Sequence, residues 1–290
     1  MSMLRIPIRK TNVHESMPSS VAYRPDMSPL QRVHELPEGS WEAIFFLVSK
    51  GEHDNETYDK TFTSAEGKSV FTYASALSYD WKQRGVTMGI VGFTTANDKK
   101  AAWGDAQPML RRFHALGGPD LVKEADRAHT DKKHADALCK TIQALKGDEY
   151  NTFVEAQLDA LCNKGGYMYE TVHVLESCGI PVTPLAIAMV FDTLLNFGLG
   201  GRYCPVKWLQ KHSMDSMDSM DSMDVKDVDD PSRVLIQFLK FKALAGAKNN
   251  HNSCRHNAKA RAGMFRRLVK RDAWSLPQSA CERVVTWTMK

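Results

Sequence analysis

No run of about 18 apolar residues, the length that would cross a bilayer, occurs in this 290-residue sequence, so no membrane-spanning helix is expected. The first residues, MSMLRIPIRKTNVHES, lack the apolar core of a signal peptide. That predicts a location in the cytoplasm, or in a particle such as a virion assembled there, outside the classical secretory route. The six cysteines, Cys139, Cys162, Cys178, Cys204, Cys254 and Cys281, form neither a CxxC pair nor a Cys/His ligand spacing. Neither a zinc site nor a redox motif is thereby indicated, and reduced, mostly buried thiols are expected. There is no GxSxG, no GxxxxGK[ST] and no HExxH, which removes serine-hydrolase, phosphate-loop and zinc-peptidase chemistry. A formal charge of +4 is small and scattered, with no basic cluster interleaved with aromatics, so nucleic acid is not an expected partner.

What is present is an ordinary globular composition, 43% hydrophobic and 25% charged, sufficient for one large domain or two lobes. Residues 1 to about 40 mix Pro, Ser, Met and charge without a sustained period, and 1–58 reads as a partly irregular N-terminal extension before a domain spanning 59–290. Within the extension, Trp41 to Lys50 (WEAIFFLVSK) is apolar and fits either a strand or a short buried helix. Thr61 to Leu77 carries an approximate helical stripe of Phe62, Ala65, Val70, Phe71, Ala74 and Leu77, with Glu66 in its first half. Asp80 follows in a turn-like segment, and Val86 to Phe93 reads as one short strand containing Gly89 and Gly92.

Helices are expected over Ala101 to Leu116 and Asp120 to Ala128, and over a long region from Tyr150 to Ser177. Leu185 to Phe197 (LAIAMVFDTLLNF) is a central core helix holding one charge, Asp192, which demands a buried arginine partner. Residues 213–230 open with SMD repeated four times and are expected to form an acidic surface loop. Arg233 to Gly246 and the basic Lys259 to Arg271 are the last predicted helices, joined by a polar loop from Asn249 to His256.

Two carboxylates on separate pieces of backbone, Glu66 and Asp80, can flank a glycosidic bond. One, protonated, donates to the leaving oxygen; the other, ionised, activates water on the opposite face of the ring. The run Arg84-Gly85-Val86-Thr87-Met88-Gly89-Ile90-Val91-Gly92-Phe93 resembles the Arg-Gly-x-Thr-x-Gly-Ile-x-Gly-Phe segment of the chitosanases of glycoside hydrolase family forty-six, within the lysozyme-like superfamily. Phe153-Val154-Glu155-Ala156-Gln157-Leu158-Asp159 is similar to that family's Phe-x-x-Ala-Gln-x-Asp helix. Phe191-Asp192 resembles its aromatic-Asp pair, and Arg266, ahead of Trp274-Ser275-Leu276, sits like its late arginine.

The resemblance implies a mainly α (α+β), two-lobed lysozyme-like fold with a small β-sheet beside a substrate cleft and a long central helix. It implies endo-hydrolysis of β-1,4 glucosamine linkages in chitosan with inversion, and no metal or organic cofactor. Carried over by position, Glu66 is the general acid, Asp80 the general base and Thr87 the holder of the attacking water. Arg84 and Asp105 contact substrate, and Asp192 with Arg266 forms a structural ion pair. Three departures stand out. Lys82 occupies the position of the family's base, two before the Arg-Gly pair, whereas Asp80 is four before. Lys240 in FLKFK stands where the family often has aspartate, and Gly67-Lys68 follows Glu66 where Asn and Ser are usual. Two other readings are therefore carried: a catalytically degenerate fold serving a structural or particle-assembly role, and a hydrolase of another cell-wall polysaccharide.

Overall fold

The computed structural model describes residues 28–52, 77–80, 85–96, 104–199, 204–218, 231–248 and 252–276. It is mainly helical, with one small antiparallel sheet. In chain order the elements are α1 (Ser28–Val33), α2 (Ser40–Glu52), β1 (Leu77–Asp80), β2 (Gly85–Met88), β3 (Phe93–Thr94), α3 (Ala106–Ala115), α4 (Val122–Arg127), α5 (Lys132–Ala144), α6 (Gly147–Cys162), α7 (Tyr167–Ser177), α8 (Pro184–Phe197), α9 (Pro205–Asp218), α10 (Pro231–Lys248) and α11 (Asn252–Val269).

The organising element is α8. Thr183 caps its N-terminus by accepting the Ala186 amide at 3.2 Å, Pro184 takes the first turn where its missing N–H is harmless, and Gly198 closes it at φ 75°. Every residue from Pro184 to Leu194 is buried. A helix buried on all sides must be wrapped by others, and α2, α7, α9, α10 and α11 all pack on it. A second packing group joins α3, α4, α5 and α6 to the sheet. Its centre is an edge-to-face contact between Phe113 of α3 and Phe153 of α6, with ring centroids 5.0 Å apart. The short α1 leans on both α6 and α7, which also touch each other, and so bridges the two groups. No described helix is long and apolar enough to cross a membrane.

Several sequence expectations change here. The supposed N-terminal extension contributes to the core within 28–48: α2 buries Trp41, Ile44, Phe45, Leu47 and Val48, and Phe45 meets Phe191 of α8 edge-on at 5.9 Å. Burying each such large side chain is worth roughly 1.5–3 kcal/mol, so this stretch helps hold the domain together. The apolar run at Trp41 is thereby a helix. Asp80 ends a strand instead of lying in a turn, and Val86 to Phe93 is two strands. Gly89 and Gly92, at φ 85° and 81°, turn the chain back between β2 and β3. Asn163 to Gly166 divides the long helical region into α6 and α7, and α11 starts at Asn252, inside the stretch expected to be loop. The repeat is not all loop either: α9 continues through its first two SMD units to Asp218, and 219–230 lie outside the described residues.

Candidate active site

β2 carries the one predicted catalytic residue whose side chain is described, Thr87. Its neighbours Val86 and Met88 point into the core, 0% and 1% exposed, so strand alternation puts half-buried Thr87 on the opposite face. The antiparallel ladder pairs Asp80 with Gly85 and Ser78 with Thr87. Positions 80 and 87 therefore occupy the same face as diagonal neighbours, about 7–8 Å apart in such a register. The inner edge of this hairpin admits no side chain at position 85: a Cβ there would lie 2.3 Å from Thr95 Oγ1 and 3.3 Å from His129 Cβ.

The sheet is short, and helices hold it in place. The Val86 amide donates to Thr95 Oγ1 at 3.0 Å, and the Thr95 amide returns a bond to the Val86 carbonyl at 2.9 Å. From α3, Gln107 donates through Nε2 to the Thr95 carbonyl at 2.7 Å. Asp105 Oδ1, at the entrance to α3, accepts the Thr94 amide at 2.6 Å. From α6, the fully buried Gln157 accepts the Ile90 amide at 2.8 Å, fixing the β2–β3 turn. Two residues of the Phe153–Asp159 motif thus have structural tasks. Gln157 moors the turn, and Asp159 Oδ2 takes the Arg112 Nε–H at 2.6 Å, with Arg32 of α1 3.6 Å from Oδ1.

Asp192, fully buried on α8, receives two cations. Arg261 of α11 donates through Nε at 2.8 Å and through Nη2 to Oδ1, while Lys242 of α10 donates to Oδ2. Burial alone would raise the Asp192 pKa; Arg261 and Lys242 outweigh it and hold the carboxyl below its ordinary value. The expected arginine is therefore present, but it is Arg261 and not Arg266. The reason is helical phase. Ala258, Arg261, Ala262, Phe265 and Leu268 form the buried stripe of α11, and Arg266 falls on its exposed face. Lys242 was missed altogether. Phe238, Leu239 and Lys242 share the buried face of α10 at i, i+1 and i+4, so a lysine in an apolar stripe was the available signal. Lys240, the residue singled out in the sequence, is exposed.

Glu66 and Arg84 lie outside the described residues, as does the 61–76 stripe. Of the remaining predicted residues, Thr87 and Asp105 come to one place through the Thr87↔Thr94 pair and the Asp105–Thr94 bond. The Asp192 cluster belongs to α8, α10 and α11. Among the described residues no group of three or more His, Cys, Asp or Glu side chains is placed to hold a metal ion. Cys139, Cys162, Cys178 and Cys204 are free thiols.

No family profile and no curated protein matches the sequence. Solved structures do match the fold. One is the Gynuella sunshinyii chitosanase of glycoside hydrolase family forty-six in complex with chitotetraose, with TM-score 0.51, 16% identity, and 83% of this chain covering 93% of that one. Native chitosanase from Bacillus subtilis MY002 has TM-score 0.53 and 19% identity, with the same 83% and 93% coverage. A point variant of that enzyme complexed with 6 GlcN has TM-score 0.55 and 18% identity over the same shares. With its buried central helix, its small antiparallel sheet moored by two helices, and these neighbours across most of its length, the chain has the mainly helical, chitosanase-like fold seen in glycoside hydrolase family forty-six.

Proposed function

We propose that the chain is an endo-acting glycoside hydrolase that cleaves β-1,4 linkages between glucosamine units of chitosan with inversion of configuration. Glu66 is the general acid, Asp80 the general base, and Thr87 holds the attacking water by its hydroxyl. Arg84 and Asp105 contact the sugar, Asp105 while also securing Thr94. The observation that carries the reading is the β1–β2 register, which supports a base at 80 and a water-holding hydroxyl at 87 as diagonal neighbours on the face turned away from the core. Inversion requires carboxyls about 6.5–9.5 Å apart so that a water fits between base and anomeric carbon. The fold neighbours whose descriptions name chitotetraose and 6 GlcN support a glucosamine polymer as substrate.

The test is release of reducing ends from chitosan and from peptidoglycan by wild type, Glu66→Gln and Asp80→Asn. Release from chitosan that both substitutions abolish agrees with the proposal; activity surviving Glu66→Gln removes the assigned acid. Release from peptidoglycan alone would move the substrate to another cell-wall polymer. A second reading, a degenerate fold serving particle assembly, is favoured by one observation, Lys82 at the family's base position. It would be supported if a well-folded wild type released nothing from either polymer.

A further inference from the structure

On the side built by α1, the end of α6 and α7, a pocket of about 220 Å³ opens with no sheet residue in its lining. That is smaller than the roughly 300–1,000 Å³ of sites for drug-sized ligands, so it has room for one ring and not for a chain. Val172 is among its apolar lining residues, and its polar side chains are Arg32, Asn163, Tyr169, His173 and Glu176. Tyr169 and His173, one turn apart on α7, stack with centroids 6.0 Å apart and planes 21° from parallel.

The charges in this pocket are unequally engaged. Arg32 donates to Ser28 Oγ at 3.2 Å, and lies 3.6 Å from Asp159, beyond hydrogen-bond length. Among the described residues, the basic side chain beside Glu176 is the His34 imidazole at 3.7 Å, which is beyond hydrogen-bond length. A ligand entering here meets an available carboxylate, an amide able both to donate and to accept, and an aromatic platform. An ammonium suits the first, ring hydroxyls the second, and the C–H face of a sugar the third.

We infer that this pocket binds a single 2-amino-2-deoxyhexose unit with a free amine, a second holding point on the chain for an amino-sugar polymer, with Glu176 taking the ammonium, Asn163 the hydroxyls and Tyr169 the ring face. The pocket is argued from its own residues; the choice of an amino-sugar polymer as what it holds rests on the proposed function. A holding point away from the sheet would raise the local concentration of polymer without altering bond cleavage.

The experiment titrates the full chain carrying Glu66→Gln, which blocks the proposed hydrolysis, with a glucosamine tetramer and separately with its N-acetylated counterpart. Aromatic NMR signals of Tyr169 and His173 are followed. Saturable shifts are expected with the free amine, and binding about tenfold weaker or worse with the N-acetylated tetramer or after adding Glu176→Gln or Tyr169→Ala. Glu176 is 53% exposed on its side chain, so Glu176→Gln leaves the fold intact, and Tyr169→Phe separates the hydroxyl from the ring. Absent shifts, equal affinity for the two tetramers, or affinity untouched by both variants overturns the site. Chitosan hydrolysis by wild type together with a silent pocket discards this inference alone. A responsive pocket on a protein that hydrolyses nothing leaves the inference standing and discards the enzymatic reading.

Discussion

Replacing Asp192 with alanine strips from Lys242 and Arg261 a carboxylate that they share in the core. All three side chains are at most 4% exposed, so neither cation can turn to water without opening the packing of α8 on α10 and α11. Breaking a buried ion pair from one side costs about 3–5 kcal/mol. At 2–4 °C per kcal/mol for chains approaching this size, Asp192→Ala should lower Tm by roughly 6–20 °C. Arg261→Ala should cost a similar amount, because it removes both guanidinium bonds to Oδ1. Arg266→Ala, on the exposed face of the same helix, should stay within about 0.5 kcal/mol.

The triple replacement Asp192→Leu, Lys242→Met and Arg261→Met should recover most of the loss, since removing all the charges removes their desolvation too. The pH dependence follows the same logic. Because the folded Asp192 titrates below its ordinary 3.8, its contribution is complete above that value and is lost only as pH falls beneath it. Thermal and urea denaturation monitored by circular dichroism would decide the matter. Equal losses for Arg261→Ala and Arg266→Ala, or a triple variant no better than Asp192→Ala, would refute the assignment.

Gly89→Ala should cost about 1–3 kcal/mol in urea unfolding, because φ is 85° and the new Cβ would sit 2.2 Å from Gln157 Oε1, the acceptor of the Ile90 amide. Under the proposed mechanism, Thr87→Val should reduce chitosan turnover about 100-fold with unchanged Tm, while Thr87→Ser keeps most of it; equal activity of the two would eliminate the hydroxyl's role. Burial, helped by Asp136, pushes the Cys139 thiol up to about 11, and burial with Asp159, against an opposing Arg32, pushes Cys162 up to about 12. The unfolded chain releases these protons near 9.0, so stability should fall as pH climbs from there through the folded values, and native alkylation of both thiols at pH 8 should be slow.

The central helix was readable from sequence because an apolar stretch with a cap, a proline start and a glycine stop has few alternatives. Its single carboxylate announced a cation for the same reason. Which cation could not be taken from the order of motifs along the chain, as Arg266 shows. It followed instead from helical phase, which places Arg261 and Lys242 inward and both Arg266 and Lys240 outward. The hairpin was misread as one strand because glycine inside an apolar run fits either a bend or a close approach, and only the positive φ of Gly89 and Gly92 distinguishes them. The segment from Ser28 to Val48 was misplaced outside the domain because its flanks are polar and proline-bearing. A run as uniformly apolar as Ala43 to Val48 has no period to betray the face it buries. The pairing of position 80 with 85 was invisible in the sequence, since register depends on a turn and on Gln157, 67 residues beyond Ile90.

Strands of four, four and two residues cannot stay folded unaided, and here Gln157, Gln107 and Asp105 reach in from α6 and α3 to fix them. The ribbon that would carry the hydrolytic groups should therefore keep its amide protection no longer than the helices that grip it. A protein of this design should have no intermediate with a folded ribbon and a melted α3 or α6, so any loosening of those helices would be transmitted directly to the geometry at position 87.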